Sequence, residues 1–270
     1  MKNIIPIQFT RINGTGNTFC LTTELVSKEI QQQLTIQVCQ KYFGFSSDGV
    51  IFLSQAGQNK WRWDFYNSDG SGAEMCGNAA RCVGAYVAHQ TNCKSETIEL
   101  ITLAGGVSIN LKNSDKDLYA VTMPKTKVID ERFVFKTEKG EARGFLVDTG
   151  VPHLVLESEP DSNLAKQIRK IQILSPRGVN ITFIQRDDDS LAQAVTFERG
   201  VEDFTLACGT GAVAASAFMK HIHQNTQHTI EMPGGELEVS WEDSADRPTL
   251  TGFAHLEFNF QMYEAENEEI

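Results

Sequence analysis

Apolar residues fall along this chain in short runs, and glycine or a polar cluster closes most of them. Ile4–Arg11 is rich in β-branched and aromatic residues and ends in the turn sequence Gly14-Thr15-Gly16-Asn17, which predicts a strand. Trp61–Tyr66 alternates apolar and charged positions with the period of a strand. Ile98–Leu103 and Val107–Leu111 flank Gly105-Gly106 and predict a hairpin. Phe145–Val147, Leu154–Leu156, Val179–Gln185, Ala192–Phe197 and Leu237–Trp241 predict further strands. Helical spacing marks Thr23–Phe43, Gly77–Gln90, Ser162–Lys170 and Gly209–His223. The second and fourth of these are each led by a cysteine and are rich in alanine and other small residues. That composition suits a helix enclosed at close range by a sheet or barrel.

The strand-then-helix pattern occurs twice. FYNSDGSGAEMCGNAARCVGAY, Phe65 to Tyr86, aligns without gaps on FERGVEDFTLACGTGAVAASAF, Phe197 to Phe218. Phe65 meets Phe197, Cys76 meets Cys208, Gly77 meets Gly209, Ala80 meets Ala212, Ala85 meets Ala217 and Tyr86 meets Phe218. The separation is constant and close to half the chain, which predicts duplication of one fold unit. The patterning breaks at Asn113–Asp117. The expected division is therefore an N-terminal half, residues 1–116, and a C-terminal half, 117–270, with the C-terminal tail free to return to the first half.

Composition narrows the class. The chain has 270 residues, 41% hydrophobic and 22% charged, which is the balance of a soluble globular protein. A net charge of −11 argues against nucleic acid or an anionic membrane surface as partner. The N-terminus lacks the apolar run of a secretory signal, and no stretch approaches a membrane span, so the expected compartment is the cytoplasm. There the six cysteines at 20, 39, 76, 82, 93 and 208 are expected to be reduced. No Cys-x-x-Cys occurs, and no zinc pattern is present.

The cysteine-led turns carry the candidate chemistry. A cysteine just before a helix meets outward-pointing N–H groups and the positive end of the helix dipole. Such a place binds an anion and favours a thiolate. Gly77 and Gly209 leave room for a ligand against the backbone. Two such helix ends can share one carboxylate and set a sulfur on each face of the carbon that carries it. Inversion at Cα needs that arrangement: one base removes the proton, an acid on the other face returns it, and the donors stabilise the carbanion. Cys20, Cys39, Cys82 and Cys93 read as ordinary buried cysteines. A single thiolate with a histidine would also suit a hydrolase, but that leaves the second cysteine unexplained.

NSDGSGAEMCGNAARC and ERGVEDFTLACGTGA resemble the two signature segments of diaminopimelate epimerases. The resemblance runs on through FTRINGTGNTF, FGFSSDGVI, TLAG, VDTGVPHLV, GVNITF, PGGELEV and TGFA. It implies an α+β fold of two pseudo-symmetric halves, each a β-barrel-like sheet wrapped around a central helix, with the active site in the cleft between them. It implies interconversion of LL- and meso-diaminopimelate without pyridoxal phosphate or any other cofactor, and without metal. Cys76 and Cys208 correspond to the catalytic pair, His153 to the partner of the first thiol and Glu198 to that of the second. Asn17, Asn67, Asn180 and Arg199 correspond to residues that hold the distal amino-acid end of the substrate. Gly77, Asn78, Gly209 and Thr210 correspond to the α-carboxylate cradle.

The chain departs from the family pattern at Val151 (often Asn), Thr18 (Asp), Ala79 (Gly), Ser46-Ser47 (Gly-Ala) and Phe253 (Pro). These departures leave the acid/base residues intact and bear on the substrate. The alternative is therefore a racemase of another amino acid using the same cysteine pair. A non-catalytic amino-acid-binding relative is a further reading, and the presence of both cysteines opposes it. The expected partner in every case is a small-molecule amino acid. A homodimer is the one assembly entertained.

Overall fold

A computed structural model describes residues 6–40, 45–91, 97–138, 140–171, 178–242 and 246–263. The first residues of the strand expected at Ile4–Arg11, the end of the helix expected at Thr23–Phe43, and Cys93 lie outside them. The chain divides into two compact units, Met1–Tyr119 with Ala254–Ile270, and Ala120–Phe253.

In chain order the first unit holds β1 (Pro6–Gly14), β2 (Asn17–Thr22), α1 (Lys28–Cys39), β3 (Gly49–Gly57), β4 (Lys60–Asn67), α2 (Gly77–Thr91), β5 (Ile98–Thr102) and β6 (Gly105–Asn113). Strand β7 (Leu118–Thr122) spans the division. The second unit holds β8 (Lys127–Thr137), β9 (Gly140–Asp148), β10 (Pro152–Glu157), α3 (Ser162–Arg169), β11 (Asn180–Arg186), β12 (Leu191–Glu198), β13 (Asp203–Thr205), α4 (Gly209–His223), β14 (Gln227–Met232), β15 (Gly235–Ser240) and β16 (Thr249–Phe253). Strand β17 (His255–Tyr263) returns to the first unit and pairs antiparallel with β1.

The duplication is visible in the pairing. In the first unit β1 and β2 form an antiparallel hairpin, β2 runs parallel to β3 across α1, β3 and β4 are antiparallel, β4 runs parallel to β5 across α2, and β5 and β6 are antiparallel. In the second unit the same succession runs through β9, β10, α3, β11, β12, α4, β14 and β15. Both parallel steps in each unit need a crossover, and the helices supply it. The architecture is α+β, and among the described residues the sheet is not closed into a barrel.

Two helices pack on the strands of each unit. Helix α1 buries Gln31, Leu34, Thr35, Val38 and Cys39, one stripe at helical spacing, against Ile7, Phe9, Val50 and Phe52. In the second unit α3 does the same with Ala165 and Ile168 against Leu154, Ile181 and Phe183. Asp161 caps α3 by accepting from Asn163 N–H at 2.9 Å and Leu164 N–H at 3.0 Å. Helices α2 and α4 are of a different kind: every residue from Gly77 to Ala88 is buried, and so are most from Gly209 to Met219. Helix α2 packs on β1, β2, β6 and β17, and α4 on β9 to β12, β14 and β15. A helix buried all round has no polar face to spare, which is why these two are built from alanine and glycine.

Some boundaries differ from expectation. Helix α1 starts at Lys28 because Thr22 belongs to β2 and Ser27 is still extended (φ −66°, ψ 146°). The hairpin turn after β5 is Leu103-Ala104, and Gly105 and Gly106 are the first residues of β6, where Gly105 takes a φ of 112°. Gly84 marks the closest approach of α2 to the sheet: a Cβ there would lie 2.6 Å from Ile109 Cγ2 and 3.1 Å from Tyr119 Cδ1. Gly84→Val is expected to destabilise the fold by about 1–3 kcal/mol through overpacking. Gly106→Ala, whose Cβ meets nothing within 4 Å, should stay within about 0.5 kcal/mol of wild type. Urea unfolding of both variants checks this, and equal midpoints would contradict the close packing of α2.

Candidate active site

The site residues of the first unit gather at the start of α2. Ala80 N–H donates to Cys76 O at 2.9 Å, so Cys76 holds the N-cap position, where a serine or aspartate is usual. Cys76 is half-buried, whereas Gly77 and Asn78 are buried. Arg81, fully buried, donates from Nη2 to Asn78 Oδ1 at 2.9 Å and to Thr15 Oγ1 at 3.0 Å. That bond fixes which end of the Asn78 amide is oxygen. Its Nδ2 then donates to Asn17 Oδ1, which in turn directs Asn17 Nδ2 to Asp48 Oδ2 at 3.4 Å. One buried guanidinium thus sets the orientation of two expected substrate amides. Burial pushes the Arg81 pKa down to about 10, opposed by the cysteines at 82 and 76. Its Nε and Nη1 have no partner among the described residues.

Thr15 supports this from a turn that most β-branched residues avoid, with φ 55° beside Gly16 at 87°. A Cβ on Gly14 would lie 2.9 Å from both Asn78 O and Cys82 Sγ, so only glycine lets this hairpin reach α2. Asp48, to which sequence reasoning assigned no role, ties the site loops together. Its carboxylate accepts from Thr18 N–H at 2.8 Å, and its carbonyl accepts from Ser68 N–H at 3.1 Å, next to Asn67. Asn67 is exposed and donates to Ser71 Oγ at 3.0 Å. Through the adjacent Ser68 N–H it shares the Asp48 anchorage with Asn17.

The second unit builds its cluster at the start of α4. Cys208 is the N-cap, buried and extended (φ −131°, ψ 106°), and its carbonyl accepts from Ala212 N–H at 2.9 Å. Its own N–H donates to Met232 Sδ at 3.4 Å. Gly211 must be glycine, since a Cβ there would stand 2.2 Å from Thr196 Oγ1 and 3.3 Å from Cys208 Sγ. Burial raises the Cys208 thiol well above its ordinary pKa, the Glu198 carboxylate raises it further, and Thr210 and the Gly211 N–H act against them. Glu198 ends β12, and its Oε1 accepts from Thr205 Oγ1 at 2.6 Å.

His153 and Asn180 are side by side on parallel neighbours β10 and β11. His153 has no exposed surface; its Nδ1 lies 2.9 Å from Thr182 Oγ1 and its Nε2 3.0 Å from Thr210 Oγ1 and 3.3 Å from Asn180 Nδ2. Burial, with the nearby Arg199 charge, pushes its pKa down to about 3, so the ring is neutral. Arg199 N–H donates to Asn180 Oδ1 at 2.9 Å and fixes that amide too. Within the second unit, therefore, Cys208, Thr210, His153, Asn180, Glu198 and Arg199 form one connected group. Thr182, Thr196 and Thr205 complete it; threonines on strands carry no distinguishing signal in a single sequence.

Cys20, Cys39 and Cys82 are core residues, and the first two are pushed up to about 11 and about 12 by burial. Among the described residues no group of three or more His, Cys, Asp or Glu could hold a metal ion. No helix there is long and apolar enough to cross a membrane.

The family model for diaminopimelate epimerase matches residues 9–129 and 145–256, which takes in both cysteine-led helices. The chain belongs to the diaminopimelate epimerase family. A diaminopimelate epimerase of Helicobacter pylori is 36% identical over 231 residues, covering 81% of this chain and 82% of the relative. One of Archaeoglobus fulgidus is 33% identical over 270 residues, covering 94% and 95%. Among solved structures, a hydroxyproline epimerase from Agrobacterium vitis, with bound trans-4-hydroxy-L-proline, superposes with a TM-score of 0.75 at 16% identity, covering 97% of this chain and 94% of that one. A phenazine biosynthesis PhzF family protein of Enterococcus faecalis gives 0.74 at 15% identity, covering 96% and 100%. These two share the fold. Membership in the epimerase family makes the chain an isomerase.

The neutral, buried imidazole of this epimerase has a measurable consequence. An unfolded histidine titrates near its ordinary 6.5, and His153 in the fold only near 3, with His228 near 4. Between those values the unfolded chain binds more protons, so stability is expected to fall as pH drops from 6.5 toward 3. Urea unfolding at pH about 7 and about 5 should show that loss, and His153→Gln should reduce it. An unchanged loss in the variant would contradict a buried, neutral His153.

Proposed function

We propose that this protein interconverts LL- and meso-2,6-diaminopimelate by exchanging the Cα proton between Cys76 and Cys208, in the supply of lysine and peptidoglycan precursor. The observation that carries the reading is the equivalence of the two sulfurs. Each is the N-cap of a fully enclosed helix, at the same step of a duplicated unit, where an oxygen cap is absent and a helix dipole favours an anion. Inversion requires an acid on one face of Cα and a base on the other, and no single residue supplies both.

In this reading the helix starts at Gly77-Asn78 and Gly209-Thr210 receive the α-carboxylate and stabilise the carbanion through its growing negative charge. Cys208, held as a thiol by burial and Glu198, is the proton donor of the resting form, and the base role falls to Cys76. When the reaction runs the other way the roles exchange. His153 belongs to the acid/base machinery as a neutral hydrogen-bonding group. Asn17, Asn67, Asn180 and Arg199 read the distal amino acid, and Arg81 and Asp48 keep the first of these in its orientation. A site that recognises the distal centre by directional hydrogen bonds rejects substrates lacking it, because its polar groups are then left unpaired. A reducing compartment, the cytoplasm, suits such thiols, and the five described cysteines are free of disulfide bonds to one another.

A racemase of another amino acid remains the second reading because of Val151, which offers only its backbone where the family often has an amide; its carbonyl accepts from Thr149 N–H at 3.1 Å. One experiment separates the two. Purified enzyme in D₂O is given LL-diaminopimelate and, in parallel, a panel of single amino acids, and Cα–H loss is followed by NMR. Deuterium is expected at Cα of diaminopimelate alone, and Cys76→Ala or Cys208→Ala should cut the rate by about 10²-fold or more. Exchange confined to another amino acid would replace this reading by the second.

A further inference from the structure

The Thr210 side chain lies within reach of two groups with opposite needs. Its Oγ1 is 3.4 Å from Cys208 Sγ and 3.0 Å from His153 Nε2. What the imidazole requires follows from its surroundings. Arg199 N–H donates to Asn180 Oδ1 at 2.9 Å, so the other end of that amide, Nδ2, faces His153 Nε2 at 3.3 Å as a donor. Nε2 is therefore the unprotonated nitrogen, and the ring proton sits on Nδ1, donated to Thr182 Oγ1 at 2.9 Å. Thr182 Oγ1 also pairs with Thr196 Oγ1 at 3.1 Å, which leaves it able to accept from the ring. The tautomer is locked from both sides, and Nε2 can only accept.

We propose that the Thr210 hydroxyl follows the charge on Cys208, donating to His153 Nε2 while the sulfur is a thiol and turning to donate to the sulfur when it is a thiolate. The Asn180 amide makes this cheap. When Thr210 turns away, Nε2 keeps the Asn180 N–H, so no buried acceptor is stranded. The Thr210 backbone does not need to move, because its carbonyl is held by Thr149 Oγ1 at 3.2 Å. No proton leaves any of these groups; one hydroxyl rotates. His153 and Asn180 thereby also position the Thr210 hydroxyl, within the unit that holds all four. The groups facing the sulfur are the Glu198 carboxylate, which favours the thiol, and the Gly211 N–H and Thr210 hydroxyl, which favour the thiolate; the Arg199 charge bears on His153. Among the described groups that face the sulfur, Thr210 is thus the side chain whose bond appears as the thiol ionises. The inference rests on Cys208 being an acid/base group.

The test reads the sulfur directly. Protein labelled with ¹³C at cysteine Cβ is titrated by NMR, with the Cys208 signal assigned from Cys208→Ser. Thr210→Val keeps the shape and removes the hydroxyl. It should raise the Cys208 titration by about 1–2 pH units, the worth of a hydrogen bond to a charged group. Thr210→Ser should titrate with the wild type. In kcat/KM profiles of Thr210→Val, the acidic limb should move up in the direction that uses Cys208 as base, and the basic limb in the other. A Thr210→Val titration that coincides with wild type overturns the proposal, as does a Ser variant that behaves like Val. Should Cys208→Ala still epimerise while the ¹³C titration shifts as expected, the acid/base assignment fails and the hydroxyl switch stands.

Discussion

The structure depends on burying one helix of each unit on nearly all sides. Such a helix can satisfy its backbone internally everywhere except at its ends, where the first N–H groups have no carbonyl to meet. Both α2 and α4 begin with a cysteine at the position that usually supplies a capping oxygen, followed by glycine. The donors of the first turn and the positive end of the dipole are thereby kept for an anion rather than spent on a cap. The alanine and glycine of these helices, the glycine at 84 and the glycine at 211 are all consequences of enclosure. At Gly84 and Gly211 a Cβ would strike a strand side chain, Ile109 in the first case and Thr196 in the second.

The two units meet the same constraint with different polar partners. In the first, the residue two after the cysteine is Asn78, and a buried arginine orders it and Asn17 behind it. In the second, the equivalent residue is Thr210, and a neutral histidine between Thr182 and Asn180 receives it. A cation inside the first unit and a carboxylate beside the second thiol make the two sulfurs electrostatically unlike, although the folds around them repeat. For a reaction in which one thiol must give a proton while the other takes one, unlike environments are an advantage.

Much of this was legible in the sequence, and for physical reasons. The composition of the alanine-rich segments after Cys76 and Cys208 suits enclosed helices, and α4 runs from Gly209 to His223 as expected. The duplication, read from one ungapped match, reappears in the succession of strand pairings. Strand β8 was not legible: most of its side chains are exposed, so no apolar alternation marks it. Nor was β17, which returns to pair with β1 from the far end of the chain. At the site, Cys76 and Cys208 stood out by their place in the repeat, and Asn78, Asn180 and His153 only through the family resemblance. Asp48, Thr182, Thr196 and Thr205 did not, because hydroxyls and a turn aspartate acquire a role only through the neighbours that the fold gives them.

The central claim is that the two faces of Cα are divided between Cys76 and Cys208. A β-halogenated substrate analogue tests it most directly, because elimination needs only the base on one face. Cys76→Ser and Cys208→Ser should each lose epimerisation, since a serine hydroxyl is a far weaker acid than a thiol. Each should still expel halide from the analogue, the two variants accepting opposite Cα configurations. If both variants eliminate from the same configuration, or if either epimerises at the wild-type rate, the division of the faces is contradicted.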